Sequence, residues 1–359
     1  PFGADRALAA TPGNLVFNNG LCELDVANYD GDGSSGDPYV ISDSDSLWEV
    51  ADCSLTNSAA AHFSISNDID VYSASFAPTA SPIGYSTLGD ISFSAVLNGN
   101  NHIISNIAMS STSYGVGLFA YLHSATISNL VISGSFVTTT GVADATTHSA
   151  GALAMYSNGE IYLSSVSNQA DVTGVGHVGG LLGWSDGPVN LVSSRNSGTI
   201  SASDWVGGLV GYGANSFNVS SSFNIGVVSG TTDDVGGLAG YVNEDSGYTN
   251  IFASYNTGAV SGGGDWVGGL VGKADGITMI TSSYNTGSVS ADNVAGGLVA
   301  IAGTVNITSS YNTGSVSADN VAGGLVGYAI GETNITSSYN TGSVSAGVNF
   351  AGGLVGFAL

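Results

Sequence analysis

Asn28, Asp30 and Asp32 stand at alternate positions of NYDGDG, Gly33 closes the hexapeptide, and Asp37 follows four residues later. Alternating oxygen-bearing side chains on a glycine turn resemble the first half of a calcium loop. A complete loop would carry a bidentate Glu at its twelfth position, which here is Tyr39, so Asp37 is the available substitute. The competing reading is an Asp-Gly-rich turn that leads into a strand. Cys22 and Cys53 are the two cysteines of the chain. A pair of this kind in a chain of secreted character predicts one disulfide, closing a loop of 30 residues; two buried thiols are the alternative. Trp205 and Trp266 occupy the same place in a repeated unit, with Phe350 close to it. Exposed, they would stack on sugar rings or dock a partner; turned inward, they would be core.

Catalytic groupings are hard to assemble from the remaining residues. Polysaccharide-cleaving sites combine clustered carboxylates with Arg or Lys that stabilise developing negative charge. The basic residues number three, Arg6, Arg195 and Lys273, and the last two fall at different places in the repeat. His62, His102, His123, His148 and His177 are scattered and form no H-E-x-x-H pair. No phosphate loop is present. Asp204, Asp233 or Asp234, Asp265, Asp292 and Asp319 precede a glycine pair by two to four residues. That spacing predicts one acidic column, relieved by salt or by divalent cations.

The composition narrows the classes further. The 359 residues include 27 acidic and three basic ones, a net charge of −24, although only 8% of the chain is charged. Three cations cannot neutralise a phosphate track, which excludes nucleic-acid binding, and the charge opposes anionic lipid surfaces. No apolar run is long enough for a membrane span, so no membrane insertion is expected. An apolar fraction of 43% argues against disorder, and 54 glycines without a three-residue period suit neither helices nor collagen. An all-β chain with many tight turns remains. Ala7-Leu8-Ala9 reads as the tail of a secretion signal.

The elements that must position these residues repeat. ITSSYNTGSVSADNVAGGLV fills 280–299 and recurs unchanged at 307–326, and ITSSYNTGSVSA returns at 335–346. Glycine pairs begin at Gly179, Gly207, Gly236, Gly268, Gly296, Gly323 and Gly352, at steps of 28, 29, 32, 28, 27 and 29 residues. A second series keeps pace: Asn168, Asn196, Asn224, Asn256, Asn285, Asn312 and Asn340. A fixed period of this size marks a stacked repeat. The units alternate small or β-branched residues with polar ones, as short strands do. About 28 residues hold three short strands and three turns, one coil of a right-handed parallel β-helix. A solenoid asks each coil only to match its neighbours, so duplicated coils fit at once. The glycine pair then marks close approach or positive φ, and the Leu after it faces inward. The seven asparagines form an internal ladder from side chain to backbone, and Phe223, Tyr255, Tyr284, Tyr311 and Tyr339 form an aromatic stack headed by Arg195.

The motif Gly208-Leu209-Val210-Gly211, with Gly324-Leu325-Val326-Gly327 and others, resembles the GLUG-motif family, over about residues 30–359. GDGSSGDPYVIS, DSLWEVAD and FSISNDIDV resemble that family's lead-in. The resemblance implies a bacterial surface or secreted protein of adhesin type; the motif also accompanies immunoglobulin-cleaving metallopeptidase modules. Ala300 replaces the last glycine of one motif, which predicts a looser turn there. The expected organisation is an N-terminal segment and cap over 1–42, irregular early coils over 43–150, and regular coils over 151–359. The expected function is a secreted or cell-surface structural protein, an adhesin stalk or filament subunit, without catalysis. A carbohydrate-binding or carbohydrate-active β-helix is the alternative. The expected partners are a surface glycan or protein receptor and further copies joined head to tail. The apolar ending AGGLVGFAL and the early NLVF, read as a donated strand, support the latter.

Overall fold

The computed structural model describes residues 15–18, 21–24, 29–52, 61–71, 92–111, 115–138, 148–232, 234–243 and 247–359. It is an all-β parallel solenoid of about ten turns with coils of about 28 residues. Every strand pairing in the coils is parallel, each strand lying on its counterpart one coil away. Among the described residues the antiparallel exception is Leu15–Asn18 with Leu21–Leu24, so Leu15, Val16 and Phe17 of NLVF are paired within their own chain. Cys22 lies in the second of these strands, and Cys53 lies outside the described residues, as does the disulfide expected between them.

The core is a set of columns. Phe63, Leu97, Ile127, Leu163, Leu191, Val219, Ile251, Ile280 and Ile307 follow one another from coil to coil, all buried. Alternation along each strand turns these side chains inward and their polar neighbours out. Burying each such chain contributes roughly 1.5–3 kcal/mol. Near the first strand of the stack, Tyr39–Ile41, a helix α1 (Ser44–Asp52) adds buried Leu47 and Val50 to the same core.

Three further columns arise from one tetrapeptide, S-S-Y-N. Its first serine adopts a left-handed backbone, with φ of 51° at Ser282 and 50° at Ser309, which ends the preceding strand. The second serine then turns inward: Ser283 N–H donates to Ser310 Oγ (3.1 Å), and Ser310 N–H to Ser338 Oγ (3.1 Å). The same contact runs from Val166 through Ser194, Ser222 and Ser254. The ring that follows points outward and lies flat on its neighbour. Tyr255 and Tyr284 are 4.8 Å apart and 1° from parallel, and the stack runs from Phe223 to Tyr339. Arg195 precedes Phe223 in that column and donates from Nε to Ser167 Oγ.

The asparagine that closes the tetrapeptide points inward. Asn168 Nδ2 donates to Asn196 Oδ1 (2.7 Å), Asn196 to Asn224, Asn224 to Asn256, Asn256 to Asn285, Asn285 to Asn312 and Asn312 to Asn340 (2.9 Å). Coils are therefore joined amide to amide, and the backbone partner lies within the same coil. Asn285 Nδ2 also donates to Gly287 O, and Gly287 N–H donates back to Asn285 Oδ1. Six of the seven amides are buried, and Asn340 is half-buried.

The first glycine of each pair belongs to a separate eight-stranded sheet, built from one short strand per coil. A Cβ on Gly296 would meet Val299 O at 1.8 Å, because the chain folds back on itself there. A Cβ on Gly297 would meet Gly324 O of the next coil at 2.0 Å and the Asn312 amide beyond it. Leu298 and Leu325 inside the arch are buried, and the register Val271, Val299, Val326 passes unshifted across Ala300, which is itself buried.

Candidate functional site

The tight glycine arch brings two outward-facing columns side by side. One holds the residue before V-G-G or its equivalent: His177, Trp205, Asp234, Trp266, Val294, Val321 and Phe350 in successive coils. The other holds the residue after Gly-Leu-any-Gly: Trp184, Tyr212, Tyr241, Lys273, Ile301, Tyr328 and Phe357. Trp205 and Trp266 thus share a column on the outer surface, half-buried by their neighbours.

In the first half of this face the rings fill the surface. His177 lies 4.5 Å from Trp184 and 4.3 Å from Trp205, and Trp205 stacks on Tyr212 at 5.0 Å. Acidic groups hold the rims. Asp186 accepts from Tyr156 Oη and from Trp184 Nε1. Asp275 accepts from Tyr241 Oη and sits 3.4 Å from Lys273 Nζ, which lies 4.5 Å above the Tyr241 ring and 5.1 Å from that of Trp266. Asp186 and Asp275 stand three coils apart, about 14 Å along the axis. Two carboxylates that share a glycosidic bond stand closer than about 10 Å.

Phenols of this face and of the separate ring stack titrate late. Burial, then the bond to Asp275, raises Tyr241; burial, then Asp186, raises Tyr156; burial, then the flanking Tyr255 and Tyr311, raises Tyr284 in the stack. A folded-state value above the ordinary 10.0 means that the folded protein holds the proton more tightly. The stability this contributes is complete below about pH 10 and is lost as pH rises through the folded values. The melting temperature should stay level from pH 7 to about 10 and then fall; a level profile to pH 12 would contradict the assignment.

In the second half the bulk thins out. Val294, Val321 and Ile301 replace rings and leave a depression of about 480 Å³, walled by Trp266 and Tyr328. Its other rim is an amide ladder on the surface. Asn293 Nδ2 donates to Asp265 Oδ1 (3.1 Å), Asn320 to Asn293 Oδ1 (2.9 Å) and Asn349 to Asn320 Oδ1 (3.2 Å).

The acidic residues before the glycine pairs do not form one column. Register places Asp234 in line with Trp205 and Trp266, and Asp265 in line with Asn293 and Asn320. Asp292 and Asp319 lie one position further out, where Asp319 N–H donates to Asp292 O. Asp233 lies outside the described residues. Offsets of two, three and four residues fall on different sides of a strand, which divides the set.

Of the calcium-loop residues, Asn28 lies outside the described residues, and Asp30, Asp32 and Asp37 are exposed. Bonding from the Ser34 side chain, then from its N–H to Asp32 Oδ1, holds the Asp32 carboxyl below the usual value, and Asp37 O accepts from the N–H groups of Asp32 and Gly33. Among the described residues no three His, Cys, Asp or Glu side chains converge as a metal group. Arg195 makes no ion pair among the described residues; those present are His102–Asp68 and Lys273–Asp275. Sequence reasoning missed the serine ladder, the surface amide ladder and the ring column after the motif. The signal for the last was LLGW, LVGY, LAGY and LVGK at 181–184, 209–212, 238–241 and 270–273.

No family model matches the chain, and no curated protein matches it. Among solved structures, the chain is similar to that of a Bacteroides ovatus protein provisionally named an immunoglobulin A1 protease. The two share 17% identity at a TM-score of 0.48, over 92% of this chain and 86% of the other.

Proposed function

We propose that the chain is a rigid extracellular spacer, an adhesin stalk or filament subunit secreted from or displayed on a cell. The observation that supports this reading is the unbroken run of the asparagine ladder, from Asn168 to Asn340, beside the serine and ring columns. A solenoid held by short-range contacts between successive coils resists bending at every coil, so that stiffness is built along its whole length. The acidic surface, with a net charge of −24, keeps such a rod soluble and separate from its neighbours. The Gly-Leu-any-Gly resemblance points to the same setting. Antibody labelling of the producing cells tests it. The expected result is labelling of intact cells or recovery of the protein from the medium as straight rods in electron micrographs. Labelling only after permeabilisation would overturn the proposal.

A further inference from the structure

We infer that the depression between Trp266 and Tyr328 is a binding site for a neutral oligosaccharide, about two sugar rings of a longer glycan. This goes beyond the spacer reading and does not depend on it. The size is that of a small-ligand site, since such pockets run from about 300 to 1,000 Å³, whereas a protein partner needs a far larger surface. Trp266 and Tyr328 are two coils apart, about 10 Å along the axis, a span that a disaccharide fills. Their ring faces suit the C–H faces of pyranoses, and Val294, Val321 and Ile301 supply an apolar floor.

The opposite rim supplies the polar half of the recognition. Asn293 and Asn320 each use one N–H and one lone pair along the axis, and Asn349 uses one N–H. A second N–H and further lone pairs remain on each, so the rim offers donors and acceptors in alternation, as sugar hydroxyls require. Charge selects the class of glycan. Asp265 begins the ladder, and Lys273, the nearby cation, is held by Asp275, so a polyanionic sugar would meet uncompensated negative charge.

Isothermal titration of the full chain with cellotetraose, mannotetraose, chitotetraose and tetragalacturonic acid tests this. At least one of the three neutral sugars should bind saturably. Trp266→Ala and Asn320→Ala should each weaken it about tenfold or more, while Tyr255→Ala, in the separate ring stack, leaves it unchanged. Because Trp occupies the same column at positions 205 and 266, Val321→Trp should fold and fill the depression, abolishing binding even if Trp266→Ala fails to fold. The inference is overturned if no neutral tetrasaccharide binds, if Val321→Trp binds like the parent, or if tetragalacturonic acid binds as tightly.

Discussion

Replacing Asn285 by alanine should cost on the order of 3–5 kcal/mol of unfolding free energy, well above the effect of a single lost hydrogen bond. The amide serves four partners: it donates to Asn312 Oδ1 and Gly287 O, and accepts from Asn256 Nδ2 and Gly287 N–H. All of these residues, Gly287 included, present groups in the closed interior, and Asn285 itself is fully buried. Removing the amide strands both ladder neighbours where water cannot replace it, and leaves a cavity between coils. Asn340→Ala is the internal comparison. That amide is half-buried, so solvent can take over its bonds and a cost of about 1 kcal/mol is expected. Denaturant unfolding of both variants measures the difference, and equal costs at the two sites would remove the ladder's role. Because each coil is held mainly by its neighbours, Asn285→Ala should also uncouple the two sides of the rod. Hydrogen exchange would show this as protection lost first in the coils flanking residue 285.

Gly296→Ala should be more damaging, through shape alone. Its Cβ would stand 1.8 Å from Val299 O and 2.4 Å from Val299 C, inside covalent-like distance of backbone. Neither side of the arch can yield cheaply. Val299 N–H is bound to Leu325 O, and Gly296 O accepts from Gly269 N–H, so a shift in either strand pulls on an adjoining coil. A loss of more than about 4 kcal/mol, or failure of that coil to form, is expected. Gly353→Ala provides the contrast, since nothing lies within 4 Å of a Cβ there. Limited proteolysis should cut the Gly296→Ala chain near that arch and spare the Gly353→Ala chain. Indifference at both sites would mean that the arch is more open than its contacts imply.

Much of the fold was legible because a solenoid converts sequence period into spatial alignment. The glycine pairs and asparagines recur at nearly equal intervals, and residues at equal phase become neighbours 27 to 32 positions apart. The partners within a column followed from that, whereas the bonds between them did not. Side chain to backbone was a reasonable expectation for asparagine, but in-register coils bring amides close enough to bond one another first. The acidic set was misread for a different reason. A difference of one residue in offset is invisible to a repeat alignment, yet it moves Asp292 and Asp265 onto neighbouring columns. The depression was hidden most deeply, because it is made by missing bulk at Val294 and Val321. Both look like ordinary strand formers until Trp266, one coil before Val294 and two before Val321, shows what the column can hold.

The identical coils at 280–299 and 307–326 make length a heritable, countable trait. Each coil advances the axis by about 4.8 Å, and every ladder is indifferent to which copy comes next. Unequal recombination between such stretches of gene adds or removes whole coils, and the product is a taller or shorter rod with every amide, serine and ring still opposite its own kind. A deletion of half a unit would instead set asparagine against tyrosine and turn core residues out to water. Selection on reach can therefore act in steps of one coil, with the chemistry between steps left untouched.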